Sequence, residues 1–245
     1  MPELTLYDHQ SSICSQMARL ALVEKGLDFR RRQIDIMGTN EQFEPWYVAL
    51  NPRAVVPTLQ IDDDIVTDTI TIVNRAQMMA GPDLLGDGTM QGWLKDIMAL
   101  HYGVLLYRNR LDPDGTAPQV IARGLFLERL AKDRADLAET TNVRLEGNRR
   151  FQALLRSPDE IKTHLDATRA LLDRMIATVR DQPYLAGEQY SLADCFATAA
   201  LARFTIHNLG DWWVGTPLAD YYARMKARTS FALADVIDTG TERDL

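Results

Sequence analysis

The chain has 245 residues, 46% hydrophobic and 25% charged, with a net charge of −7, which is the balance of a globular protein with room for a sizeable core. The acidic balance disfavours nucleic-acid binding by bulk charge, and no apolar run reaches the roughly 18 residues of a membrane span. Two cysteines far apart in sequence, Cys14 and Cys195, and four histidines without a paired ligand spacing exclude a disulfide framework and a multi-cysteine zinc site, and make a metal enzyme a poor fit.

In chain order, the first seven residues carry no basic region followed by an apolar stretch, so no signal peptide is read. A reducing cytoplasm is the expected location, since two free thiols are safe there. Residues 4–7 read as a short buried strand. Residues 11–26 read as a helix on the spacing of Met17, Leu20 and Ala21, with Gly26 as its stop. A second strand over 29–36 carries Arg30, Arg31 and Arg32, which form either a solvated edge or an anion site. Residues 40–50 are loosely helical. A third strand, 55–61, is entered through Pro57. Asp62, Asp63 and Asp64 make a turn, residues 65–67 a fourth strand, and residues 68–79 a helix. This β-α-β, irregular helix, β-β-α order is that of a small α/β unit. Glycines and a proline over 81–89 read as a linker. Everything after Met90 is helical in pattern. Trp93, Ile97, Leu100 and Val104 fall at helical spacing, residues 109–118 form a loop, and 119–138, 142–157 and 158–180 are amphipathic stretches. Residues 191–209 read as a buried helix and 218–228 as a last amphipathic one. The expected architecture is α/β plus all-α: a domain over 1–80, a linker over 81–89, and a helical domain over 90–245.

Four short features carry chemistry. Cys14, in the run from Ser11 to Gln16, lies at a strand-to-helix junction. There the helix dipole and free backbone N–H groups favour a thiolate, although a packed small residue fits the same place. The serines beside it suit N-caps. Pro57 after Val56 opens a strand. It is either a plain edge-strand proline or part of a cis peptide that leaves the Val56 backbone open to an extended peptide-like ligand. Asp68 and Thr69 place an acid and a hydroxyl beside helix N–H donors. The pair suits a ligand bearing both an ammonium and a carboxylate, or else Thr69 is simply an N-cap. Ser191 and Asp194 form a capping box, a structural feature, and Cys195 inside that helix reads as a packed side chain.

Together, in this order, these features resemble the cytosolic glutathione transferase superfamily over the whole chain. The family's fold is an N-terminal thioredoxin-like domain followed by a C-terminal helical bundle. Its cis-proline motif resembles Val56, Pro57, Thr58 and Leu59. Its acidic-or-amide plus serine pair resembles Asp68 and Thr69, both conservatively changed, and its helical-domain box resembles residues 191–194. A narrower resemblance runs to the tetrachlorohydroquinone reductive dehalogenases, on residues 12–15, 40–59 and 221–231 and on a long insert over 111–151. The serine and cysteine motif also occurs in the zeta class, the maleylacetoacetate isomerases.

The resemblance implies glutathione as co-substrate and no metal. It implies Ser12 as the donor to the glutathione thiolate. Val56, with Pro57, would pair its backbone with the cysteinyl unit. Asp68 and Thr69 would hold the γ-glutamyl amine and carboxylate. Cys14 would attack the sulfur of a glutathionyl-hydroquinone and form a protein–glutathione mixed disulfide. An aromatic substrate would lie against His101, Tyr102 and Tyr107 on the first long helix, and against Phe204, His207, Trp212 and Trp213; ordinary core packing is the alternative for each. The reaction is then reductive dehalogenation, or another glutathione-dependent transfer, aryl-ether cleavage or isomerisation. A non-catalytic relative would be expected to lose Ser12, Cys14 or Pro57, and all three are present. A homodimer is expected, with no nucleic-acid or membrane partner.

Overall fold

The protein is described by a computed structural model over residues 2–239. The elements in chain order are β1 (Leu4–Asp8), α1 (Ile13–Glu24), β2 (Arg30–Gln33), α2 (Pro45–Leu50), β3 (Thr58–Ile61), β4 (Asp64–Val66), α3 (Thr69–Gln77) and α4 (Met90–Met98). There follow α5 (Tyr102–Tyr107), α6 (Pro118–Asp133), α7 (Ala138–Leu155), α8 (Pro158–Asp181), α9 (Leu192–Ile206), α10 (Pro217–Lys226) and α11 (Thr229–Leu233). Among the described residues, two compact units form: 2–51, 55–99 and 170–239 in one, 52–54 and 100–169 in the other.

The first unit is built on a mixed four-stranded sheet in the order β2-β1-β3-β4. β1 runs parallel to β2 and antiparallel to β3, which pairs antiparallel with β4. Leu4, Leu6, Leu59 and Ile61 project from the two central strands onto Ala18 and Leu22 of α1 and Ile72 and Ala76 of α3. The alternating pattern of the strands thus meets the helical period of α1 and α3 on one face. β2 is one of the two edge strands; Arg30 and Arg32 are exposed on it, as a solvated edge requires, while Arg31 is half-buried and pairs with the buried Asp8 at 3.1 Å. Gly26 takes φ +66° just past α1, the left-handed conformation that lets a helix stop. α9 packs on both α1 and α4. Its residues are apolar or small almost throughout, and all but Thr205 are buried.

The second unit holds α5, α6, α7 and the first part of α8. α6 and α7 pack together, and Asn148 of α7 donates to the Val120 carbonyl of α6 at 2.9 Å. Tyr107, Leu111, Phe151 and Leu154 pack around Ala117, Val120 and Leu155.

The structure corrects three local expectations. The helical spacing from Trp93 to Val104 is divided between α4 and α5, so His101, Tyr102 and Tyr107 do not lie on one long helix. The break occurs at His101 (φ −90°, ψ 80°), whose Nδ1 accepts the Val104 N–H and starts a new helix. The second and third strands, expected over 29–36 and 55–61, are shorter, at Arg30–Gln33 and Thr58–Ile61, the latter starting only after the cis Pro57. The amphipathic reading also missed α11, whose five residues are too few to show a period.

Candidate active site

β1 delivers the chain to the start of α1 through a loop held by buried arginines. Arg19 of α1 is fully buried and pairs with Asp8 Oδ2 at 2.6 Å. Its Nη2 donates to the Gln10 and Asp235 carbonyls, both at 3.1 Å, and its Nε to the Ala234 carbonyl at 2.6 Å. Arg203, in the last turn of α9, donates to the carbonyl of Ser11. A buried guanidinium is tolerated only where carbonyls and carboxylates surround it, and here the same bonds fix the loop.

The serines in that loop take different roles. Ser11 turns toward His9, whose Nδ1 accepts the Ser11 N–H at 3.3 Å and lies 3.1 Å from its hydroxyl. Burial lowers the His9 pKa below its ordinary value, in keeping with a ring nitrogen that accepts. Ser12 is the N-cap of α1, its hydroxyl accepting the Ser15 N–H at 3.3 Å. A hydroxyl that accepts one bond keeps its own proton to donate. Cys14 follows in the first turn and is partly exposed.

A second helix start meets the same sulfur. Asp68 is the N-cap of α3, its Oδ1 accepting the Thr71 N–H at 2.9 Å and the Thr71 hydroxyl at 3.0 Å. Asp68, not Thr69, is therefore the cap. Asp68 is exposed and Thr69 buried, and the two act on the Cys14 thiol in opposite directions. Burial pushes the Cys14 thiol up, and the Asp68 carboxylate adds to the rise; the Thr69 hydrogen bond and the Arg203 charge act in the other direction.

The Val56–Pro57 peptide is cis. The segment is fixed from α2 and the residue after it. The Tyr47 hydroxyl donates to the Val55 carbonyl at 2.7 Å and lies 3.1 Å from the Thr58 hydroxyl. Asn51 Nδ2 bonds both of those oxygens at 2.9 Å. Tyr47 and Asn51 are fully buried, and neither was singled out in the sequence. A buried asparagine before a proline turn was the available signal.

The aromatic candidates divide between the units. In the second, the His101 ring stacks on Phe151 with centroids 4.9 Å apart and meets His164 edge-on at 5.0 Å. Burial, then the His164 charge, lowers its pKa. Tyr107 is 5.9 Å from Phe151 and has its hydroxyl pKa raised by burial, and Tyr102 is partly exposed. In the first unit, Phe204 is fully buried in α9, 6.4 Å from Trp213 by ring centroids. His207 and Trp213 are buried as well, and Trp212 is partly exposed.

The capping box of α9 is formed. Asp194 Oδ2 accepts from the Ser191 N–H at 2.8 Å and its hydroxyl at 2.9 Å, and Oδ1 from Leu185 N–H at 3.0 Å and Tyr221 hydroxyl at 2.7 Å. Cys195 is fully buried, and burial carries its thiol far above the ordinary range. Among the described residues, no three histidine, cysteine, aspartate or glutamate side chains come together as a metal site.

A mixed four-stranded sheet, a cis proline before its third strand and a cysteine behind the first helix cap frame the candidate site. The family model for the N-terminal domain of glutathione S-transferases matches residues 11–77, and that for the C-terminal domain residues 126–224. The chain belongs to the glutathione S-transferase family and is a glutathione-dependent enzyme. It is 33% identical over 246 aligned residues to a tetrachloro-p-hydroquinone reductive dehalogenase of Sphingobium chlorophenolicum, covering 97% of each chain. It is 26% identical to glutathione S-transferase TCHQD of Arabidopsis thaliana, over 93% of this chain and 88% of the other. A beta-etherase structure from Sphingobium sp. strain SYK-6 shares the fold, with a TM-score of 0.69, 21% identity and coverage of 94% and 98%.

Proposed function

We propose that this enzyme is a glutathione-dependent reductive dehalogenase of halogenated hydroquinones. The observation that carries the reading is the place of Cys14, partly exposed in the first turn of α1 behind the Ser12 cap, on a helix that packs against α3. The N-terminus of α1 favours a thiolate there, against the upward push of burial and of Asp68. The whole-length likeness to a reductive dehalogenase supports the same chemistry.

In the proposed reaction, the Ser12 hydroxyl donates a hydrogen bond to the thiolate of glutathione. That thiolate bonds to the ring, and halide departs. Cys14 thiolate then attacks the glutathionyl sulfur. A Cys14–glutathione disulfide forms, the carbon–sulfur bond breaks, and its electron pair stays on the ring carbon, which takes a proton. A second glutathione thiolate attacks the mixed disulfide, forms glutathione disulfide and returns Cys14 as thiolate. Two glutathiones are thus oxidised for each carbon–halogen bond reduced to carbon–hydrogen.

Val56 and Pro57 hold the cysteinyl unit of glutathione, and Asp68 its γ-glutamyl ammonium. Thr69 holds the γ-glutamyl carboxylate. An ammonium on Asp68 neutralises a charge that otherwise raises the Cys14 pKa, so binding glutathione favours the thiolate. His101, Tyr102 and Tyr107, partly exposed in the second unit, are one proposed set of aromatic contacts, and the partly exposed Trp212 of the first unit is the other; Phe204 is fully buried. In chain order, residues 1–80 bind glutathione, 81–89 link, and 90–245 bind the aromatic. The protein is proposed to be a cytoplasmic homodimer.

The test is stoichiometry. Incubation with a chlorinated hydroquinone should release one halide for every two glutathiones consumed, with one glutathione disulfide formed. Aryl-ether cleavage or isomerisation without halide or disulfide would replace this reading by its alternatives.

A further inference from the structure

α1 buries two long polar side chains three residues apart, Gln16 and Arg19, which share one face of the helix. A buried polar group is kept only where its donors and acceptors are met. Those of Arg19 are met from two places at once. From the chain after β1 it takes Asp8 Oδ2 at 2.6 Å and the carbonyls of His9 at 3.4 Å and Gln10 at 3.1 Å. From the turn after α11 it takes the carbonyls of Ala234 at 2.6 Å and Asp235 at 3.1 Å.

Gln16 repeats the bridge. Its Nε2 donates to the Gln10 carbonyl at 3.3 Å, and its Oε1 accepts the Ile237 N–H at 3.3 Å. Both side chains therefore hold the Gln10 carbonyl, and both hold the backbone of 234–237. Ser12, the cap of α1, follows Gln10 by two residues, and its N–H donates to the His9 carbonyl at 3.1 Å. The course of the C-terminal segment depends on Asp235. It takes φ +53°, and its N–H closes the turn on the Ala232 carbonyl at 3.0 Å. Without that turn, Nε and Nη2 of a fully buried guanidinium lose acceptors, and Arg19 can no longer sit as it does against the Gln10 carbonyl.

We propose that the turn after α11 is a positioning element of the active site: through Arg19 and Gln16 it fixes the loop before α1, and with it the helix start that carries Ser12 and Cys14. This rests on the proposed placing of Ser12 at the glutathione sulfur, and on no later step of the reaction. A segment that only closes the end of the domain would add stability and leave glutathione binding alone. The proposed role ties the turn to the binding site.

Two substitutions at Asp235 separate these roles. Proline fixes φ at about −65° and has no N–H, so Asp235→Pro cannot close the turn, whereas glycine takes positive φ freely and Asp235→Gly keeps both carbonyls in place. The readouts are amide hydrogen exchange by mass spectrometry and glutathione binding by calorimetry, with no aromatic present. Asp235→Pro should speed exchange over residues 8–14 as well as over 230–239, leave the peptide carrying β3 unchanged, and weaken glutathione binding by about tenfold. Asp235→Gly should stay within about twofold of the parent. Faster exchange confined to 230–239, or unchanged glutathione affinity in Asp235→Pro, overturns the proposal. Should Asp235→Pro not fold, Gln16→Leu removes the second bridge and should weaken binding by about threefold; an unchanged affinity there overturns the proposal instead. Ser12→Ala reads the placing of Ser12 separately. Loss of the ultraviolet thiolate band of bound glutathione supports that placing and an unchanged band removes it, while exchange over 8–14 in Asp235→Pro decides the hold of the turn on the loop.

Discussion

α1 and α9 both begin with a serine N-cap and place a cysteine in or next to the first turn: Ser12 with Cys14, and Ser191 with Cys195. The helix dipole is common to both. What differs is the surroundings. Cys14 is partly exposed and has the Thr69 hydroxyl and the Arg203 charge near it. Cys195 is sealed, with the Tyr190 hydroxyl 3.5 Å from its sulfur and the carboxylates of Glu24 and Asp194 adding to the upward push of burial. The comparison teaches that a helix N-terminus does not by itself make a reactive cysteine. Access is what separates the two, since each sulfur also has an arginine charge acting on it, Arg203 at Cys14 and Arg228 at Cys195.

The sharpest way to break this contrast is to exchange each cysteine. Cys14→Ser should leave halide release by the first glutathione largely intact and abolish the reductive step, so that the glutathionyl-hydroquinone accumulates by chromatography. Cys195→Ala should keep full turnover and lose about 1 kcal/mol of stability in a denaturant titration, the usual scale of a small core truncation. Loss of turnover in Cys195→Ala would erase the distinction.

The caps themselves come next. Asp194→Ala removes the acceptor for four buried donors and should cost about 3 kcal/mol of unfolding free energy, measured by urea titration. Asp68→Ala, at the exposed cap, should cost far less stability. It should instead raise the KM for glutathione about tenfold with kcat nearly unchanged, as loss of one charge-assisted contact remote from the sulfur does. An unchanged KM would remove Asp68 from the glutathione site.

The smallest effect concerns pH. His9 has its folded pKa below the ordinary 6.5, through burial. Below about pH 6.5 the unfolded chain therefore takes up the proton more readily than the folded one, and stability falls as pH drops from 6.5 toward the folded pKa. His9→Gln should flatten that decline in thermal unfolding scans. Protonation also removes the Nδ1 acceptor of the Ser11 N–H, so the loop before α1 is where the loss should register by hydrogen exchange.

Much of this was legible in the residues. Strand alternation and the α1 period placed Ser12 and Cys14 at a helix start, because those patterns are local. The capping box was readable for the same reason. Arg203 was not singled out, although a guanidinium in an apolar helix was a visible anomaly. Its meaning depends on packing between residues almost two hundred positions apart, which no periodicity reports. The break at His101 was hidden because Leu100 and Val104 continue the apolar spacing across it. Thr69 was read as a ligand contact or a cap. The structure gives the cap to Asp68 and buries Thr69. The adjacent acid is the better placed acceptor for the α3 amides.

The measurement that reaches the central claim most directly is mass spectrometry of the enzyme quenched during a single turnover with a chlorinated hydroquinone and limiting glutathione. The account predicts one glutathione disulfide-linked to Cys14, none on Cys195, and release of the adduct on adding more glutathione. Complete dehalogenation with Cys14 unmodified at every time point would contradict it.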